Sequence, residues 1–127
     1  MSIPTAAKTA TIPMKRSGTV EARRAGRTQV RVLMESAGGT VDSVSSAMKF
    51  NEMVVAWGVV SGSIQDEYGS QVDVARAVRP EYRHLGPIAQ PDVYDAMAPE
   101  DIASVIKFVL GGTLTEIQVG NSEPPPA

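Results

Sequence analysis

The stretch from Val41 to Val60 constrains the fold more than any other part of this chain. Apolar or small residues recur in it at spacings of three and four, which is typical of a helix, and we predict one over 41–60. Three large side chains form a stripe beside this series: Phe50, Met53 and Trp57. The apolar arc is so wide that it requires burial on more than one side. We therefore predict these three residues as self-association residues, with a second subunit supplying part of the cover.

Glycine and proline divide the rest of the chain. Pro91 and Pro99 predict helix starts, and we expect helices over 91–97 and 99–110, the second ending at Gly111-Gly112. Acidic residues directly after Pro99 favour that start, because they meet the positive end of the helix dipole.

Between the long helix and the helix at 91, the pattern is weaker. The segment 64–70 is typical of a turn, with Gly69 available for a positive φ. The spacing of valines over 72–78 fits a short helix or a strand. Three prolines within 80–91 predict a long irregular connection.

The N-terminal part predicts an arm followed by a hairpin. Pro4 and Pro13 indicate an irregular segment over residues 1–17. Two short runs on either side of Gly26 favour a β-hairpin within 18–34. The alternative is a helix over 19–36 interrupted by that glycine.

Together these patterns predict an α+β fold, a mainly helical small domain with a short N-terminal β-hairpin and flexible arms at both ends. The predicted division is an N-terminal basic arm over 1–17, a globular domain over 18–119 and a proline-rich tail over 120–127. A chain of 127 residues is near the commonest size of a single domain.

Charge is distributed very unevenly along the chain. The first 34 residues hold seven basic side chains against one acid, a net +6, whereas the rest holds five basic and 13 acidic side chains, a net −8. This asymmetry predicts a docking protein. The predicted partner-binding residues are Lys15, Arg16, Arg23, Arg24, Arg27 and Arg31. A solvated hairpin face, a contact with acidic protein and a contact with nucleic acid phosphates all fit this cluster.

The sequence offers little material for catalysis or metal binding. Cysteine is absent, which excludes disulfides, thiolate zinc sites and cysteine nucleophiles. His84 is the single histidine, and we expect a surface or hydrogen-bonded role for it. The neighbouring acids Asp66-Glu67 and Asp92…Asp95 are expected to cap helices and turns. We therefore predict a non-enzyme without cofactor or metal, and no membrane partner, since no apolar run approaches the ~20 residues of a membrane span.

Several short motifs occur in an order that resembles the tail assembly chaperones of long-tailed bacteriophages. A Val30-Arg31-Val32-Leu33 stretch is followed by the helix ending Val54–Val60 and then by a turn, Asp66-Glu67-Tyr68-Gly69. A final helix over 101–110 leads to a glycine and a polar tail beginning Asn121-Ser122. The resemblance covers residues 28–123 and departs from the family in the proline-rich stretch 80–91 and at Gly111-Gly112.

The resemblance implies a non-enzymatic viral assembly protein. Such a protein binds the tape-measure and tail-tube proteins during phage tail morphogenesis, acts as a homo-oligomer in the host cytoplasm, and is absent from the finished particle. The alternative is a virion structural subunit, a phage coat or connector protein, whose basic arm contacts neighbouring subunits or packaged nucleic acid.

Overall fold

The chain folds into an α+β domain, as predicted. The computed structural model describes residues 9–39 and 43–111, together with the backbone of residues 112–121. Its elements, in chain order, are β1 (Thr9–Pro13), β2 (Thr19–Arg23), α1 (Arg27–Ser36), α2 (Val44–Gly58), β3 (Val59–Gln65), β4 (Gln71–Asp73), β5 (Arg76–Val78), a 3-10 helix (Pro80–Leu85), β6 (Pro87–Ala89), α3 (Pro91–Ala96) and α4 (Pro99–Asn121). Four antiparallel strands form one sheet in the order β1-β2-β3-β4, and β5 pairs with β6.

The chain contains an N-terminal β-hairpin, but it lies nearer the N-terminus than predicted, over β1 and β2. β2 pairs with β1, so the prediction of an irregular segment is wrong for residues 9–13. Pro13 is compatible with a strand here because it is the last residue of an edge strand, where a missing N–H is tolerated. Val20 and Ala22 alternate into the core with no exposed surface, which holds β2 in register. The predictions for residues 1–8 and 122–127 lie outside the described residues.

Residues 27–36 form a helix, so the second predicted strand of the hairpin is wrong. The alternation of Val30 and Val32 suggested a strand, but the buried pair is Val30 and Leu33, three residues apart as on a helix face. Gly26 precedes this helix in extended conformation and is not a hairpin turn. The alternative helix over 19–36 was right for its second half only.

α2 confirms the helix predicted over 41–60, within the bounds Val44–Gly58. Ser43 begins it with a capping box: its hydroxyl accepts from the Ser46 amide at 3.1 Å, and the Ser46 hydroxyl accepts from the Ser43 amide at 3.2 Å. Four consecutive residues, 53–56, are buried, and the helix packs against α1, α3, α4 and β6 of its own chain. Burial on several sides is thus provided within a single subunit.

The second half of the chain contains more regular structure than predicted. Most of the stretch 72–78 lies in the strands β4 and β5, which are separated at residues 74–75, and the turn before it has Gly69 at φ +84°, as expected. The predicted irregular connection over 80–91 is wrong, because it contains the 3-10 helix and β6. Prolines are compatible with both elements, since Pro80 begins the 3-10 helix and Pro87 begins the strand.

Both C-terminal helices begin where predicted, at Pro91 and Pro99. α3 ends at Ala96, close to the expected residue 97. The predicted end of α4 is wrong, because its backbone continues through Gly111-Gly112 to Asn121. Glycine lowers helix propensity by ~1 kcal/mol relative to alanine but does not forbid helical backbone.

Gly62 and Gly69 offer a matched test of the close approach between the strands β2 and β3. Gly62 has φ +127°, and a Cβ there would lie 2.3 Å from the Thr19 carbonyl oxygen of the neighbouring strand. Gly69 also has a positive φ, +84°, but a Cβ there would meet no atom within 4 Å. We expect Gly62→Ala to lower the free energy of unfolding by about 3 kcal/mol, from strain and overlap together, and Gly69→Ala by about 1 kcal/mol. Urea denaturation measures both, and equal losses would contradict the close approach of β2 and β3.

Candidate functional site

The fold takes the basic residues of the N-terminal segment to several different places. The Lys15 ammonium lies 2.7 Å from a Glu100 carboxylate oxygen, and both side chains are exposed. This bond holds the pKa of Glu100 below its ordinary value. Arg16 donates from one Nη to the carbonyl oxygens of Gln65, at 3.3 Å, and Ala96, at 3.2 Å. Lys15 and Arg16, two of the six predicted partner-binding residues, therefore contact other elements of their own chain.

The backbone beside Lys15 is held by a buried carboxylate. Asp101, in the first turn of α4, is only 5% exposed, and its two oxygens lie 3.0 and 3.1 Å from the Lys15 backbone nitrogen, which donates to them. A buried acceptor of this kind stabilises the fold when its partner is present and destabilises it when the partner is missing. The β1–β2 connection is thereby tied to the start of α4.

Arg23 and Arg24 are adjacent in sequence but contact different helices. The Arg23 guanidinium lies 3.9 Å above the ring centre of Trp57, and its Nε donates to the Trp57 carbonyl oxygen at 2.8 Å. The Arg24 guanidinium lies 4.6 Å from the Phe108 ring centre, and its Nε donates to the Phe108 carbonyl oxygen at 3.3 Å. Each arginine thus combines a cation–π contact with a hydrogen bond.

The two remaining arginines of the predicted set, Arg27 and Arg31, lie four residues apart at exposed positions of α1. The basic cluster of the sequence is therefore distributed over contacts with several elements of the fold. Its members lie at the start of α4, at the end of α2, beside Phe108 and on α1. Partner binding by these residues stays a prediction.

The three predicted self-association residues differ in exposure. Met53 is fully buried in the core and has no surface that could contact another subunit. Phe50 and Trp57 are half-buried and pack against the core from outside. The structure thus brings Trp57, from the predicted self-association set, together with Arg23, from the predicted partner-binding set. The sequence held no signal for this pairing, since the two residues belong to separate elements.

A groove of about 580 Å³ lies between the N-terminal half of α2 and α3. The residues that line it include Ser45, Met48, Lys49, Glu52, Tyr94 and Asp95. Met48 is 58% exposed, and Val44, one helical turn earlier on the same side of α2, is 78% exposed. Both residues belong to the apolar series that predicts the helix over 41–60, and no local pattern shows which part of that wide apolar arc the fold leaves open.

Groups of both charge signs line this groove. The Lys49 ammonium lies 5.3 Å from the Tyr82 ring centre, and a bond with the Tyr82 side chain raises the pKa of Lys49. Burial raises the pKa of Tyr94, and the nearby Glu52 carboxylate adds to the effect. Exposed apolar side chains beside mixed charges resemble the apolar centre and polar rim of protein interfaces.

The other polar residues named from the sequence form local hydrogen bonds or lie at helix starts. His84 is exposed, with its Nε2 2.8 Å from the Ser36 hydroxyl, which confirms a hydrogen-bonded surface histidine. One Asp66 oxygen accepts from the amides of Tyr68, at 2.9 Å, and Ser70, at 2.8 Å, and so caps the β3–β4 turn as expected. Asp92 lies in the first turn of α3.

Within residues 9–39 and 43–111, no group of three or more histidine, cysteine or acidic side chains is placed to hold a metal ion. None of the helices in that part is long and apolar enough to cross a bilayer.

Comparison with known protein families, with characterised proteins and with solved structures found no match to this chain.

The two acids at the start of α4 allow a controlled stability measurement. We expect Asp101→Ala to lower the free energy of unfolding by about 2 kcal/mol, because the Lys15 amide loses a charged acceptor in a buried position. Glu100→Ala removes an exposed ion pair and is expected to change little. Chemical denaturation measures both variants, and a larger loss for Glu100→Ala would contradict the anchoring role of Asp101.

Trp57→Ala tests the self-association predicted for the stripe of Phe50, Met53 and Trp57 on α2. The change removes the ring beneath Arg23 and a half-buried contact with the core, so we expect a loss of about 2 kcal/mol in stability. If Trp57 also contributes to an interface, sedimentation velocity will show a smaller oligomer than that of the unchanged protein. An unchanged oligomer, or a monomeric unchanged protein, would contradict the self-association prediction.

Proposed function

We propose that this protein is a non-enzymatic viral assembly protein that binds the tape-measure and tail-tube proteins during phage tail morphogenesis. The observation that carries the proposal is the exposed pair Val44 and Met48 on α2 beside the groove of about 580 Å³. The proposed site of action is the host cytoplasm, with release of the protein before the particle is complete.

The form of this surface suits transient binding of a helix. Two apolar side chains one turn apart present an edge on which an amphipathic helix can place its own apolar residues. Methionine adapts to different partners because its unbranched side chain repacks easily. The lining charges, Lys49 and Glu52 of α2 and Asp95 of α3, can pair with the polar face of such a helix.

Part of the order of elements also supports the proposal. The resemblance implies a strand pair that ends in the stretch 30–33, then a helix leading to an Asp-Glu-x-Gly turn, then a final helix. α2, the turn at 66–69 and α4 follow in that order, whereas residues 30–33 lie in the helix α1 and not in a strand.

Co-expression with the tape-measure protein of the same virus tests the proposal. We expect the unchanged protein to keep the tape-measure protein soluble and to co-purify with it. Met48→Glu should reduce co-purification about tenfold or more, because a carboxylate would be desolvated in an apolar contact. The matched control is Tyr68→Glu, an apolar-to-acid change at an 84% exposed position on the β3–β4 turn. The control should co-purify normally.

Two outcomes would contradict the proposal. One is normal co-purification of Met48→Glu when circular dichroism shows that the variant is folded. The other is the presence of this chain as a stoichiometric component of purified particles in mass spectrometry, which would favour the alternative of a virion structural subunit.

A further inference from the structure

The strand β1 lies at one edge of the four-stranded sheet, with β2 on one side and no described strand on the other. Its five residues, Thr9–Pro13, carry no charged side chain. The opposite edge strand, β4, has only three residues and includes Asp73. Short edge strands and charged side chains are the means by which natural proteins prevent pairing at sheet edges. By this measure β4 is a protected edge, whereas the middle of β1 is not.

The hydrogen bonds of the hairpin determine which backbone groups of β1 point away from the sheet. The Met14 amide donates to the Gly18 carbonyl oxygen at 3.0 Å, so these residues form a hydrogen-bonded pair at the closed end of the hairpin. Hydrogen-bonded and non-hydrogen-bonded pairs alternate along an antiparallel ladder. Every second residue counted back from Met14 therefore bonds to β2, and the residues between them present their backbone groups outward. The outward residues are Thr9, Thr11 and Pro13.

Donors and acceptors are thus left over along the free edge of β1. They are the amides of Thr9 and Thr11 and the carbonyl oxygens of all three outward residues, and none of them has a backbone partner within the described part of the chain. Pro13 has no amide hydrogen, and its outward position leaves the ladder between β1 and β2 intact. The three side chains are exposed, so another molecule can reach this edge.

We propose that the free edge of β1 pairs antiparallel with the same edge of a second copy of this chain, in the register centred on Thr11. This register alone aligns all five residues of both strands. The two Thr11 residues exchange both of their backbone hydrogen bonds, and the Thr9 amide of each copy donates to the Pro13 carbonyl oxygen of the other. Every outward amide then has an acceptor, and the two-fold contact closes, which joins two four-stranded sheets into one.

Charge and apolar surface both favour a second copy as the partner. The Thr11 hydroxyl donates to Glu21 of its own chain, which lies across β1 from the second copy, so no like charges meet at the centre. Ala10 and Ile12 are half-buried, and in this register Ile12 of one copy lies beside Ala10 of the other. The edge shares no residue with the α2 groove, and the proposal does not rest on the proposed function.

The first test uses single cysteines, since the chain has none of its own. In the proposed register the two Thr11 Cα atoms are about 5.5 Å apart, within reach of a disulfide, whereas the two Thr9 Cα atoms are about 14 Å apart. Under mild oxidation, Thr11→Cys in the full-length chain should give about fivefold more disulfide-linked dimer than Thr9→Cys on non-reducing electrophoresis. Equal yields, or no linked dimer from Thr11→Cys, would overturn the proposal.

Sedimentation velocity measures the pairing without cysteines. The interface is small, so the unchanged protein should dimerise reversibly as its concentration rises. Thr11→Lys should raise the dissociation constant about tenfold or more, because two ammonium groups would face each other. Gln71→Lys, the same change at an exposed position of β4, should stay within about twofold. Circular dichroism verifies that both variants are folded.

Three results of the sedimentation experiment would contradict the proposal. One is a monomer at every concentration, and another is an equal weakening by Thr11→Lys and Gln71→Lys. The third is a dimer that Trp57→Ala dissociates and Thr11→Lys does not, which would assign self-association to the α2 stripe instead of β1.

Discussion

Burial of the C-terminal half of α2 is the interaction on which the rest of the structure depends. Residues 53–56 are all buried, which requires neighbours around the helix, and α1, α3, α4 and β6 supply them. The contact with α4 is close: a Cβ at Gly58 would lie 2.5 Å from a Val109 methyl group. Because α2 continues directly into β3, its position also sets the place of the four-stranded sheet.

The N-terminal segment is built onto this core through its basic residues. Lys15 and Arg16 hold the β1–β2 connection against α3 and α4, while Arg23 and Arg24 lie across aromatic rings of α2 and α4. Several residues of the basic cluster, which predicts docking to other molecules, therefore form contacts within their own chain. Large apolar side chains stay exposed elsewhere, at Val44 and Met48 of α2.

Predictions that depend on neighbouring residues were accurate, whereas predictions that depend on contacts between distant parts of the chain were not. The starts of α3 and α4 were predictable because proline and the acids after it act within one turn. Residues 28–34 were misread because alternating and helical periods overlap in so short a run, and only contact with the core decided between them. Pro13 suggested irregular structure because its tolerance depends on being at a sheet edge, which no local pattern reveals.

The sequence by itself determined the class of the fold, the long central helix and most of the breaks between elements, because these depend on periodicity and backbone preferences of neighbouring residues. Only the tertiary structure decided which strands pair, which part of the apolar arc of α2 stays open, and which arginines meet an aromatic ring. These outcomes depend on contacts between residues far apart in the chain, such as Lys15 with Asp101 and Arg23 with Trp57. Their geometry arises only when the core brings the elements together.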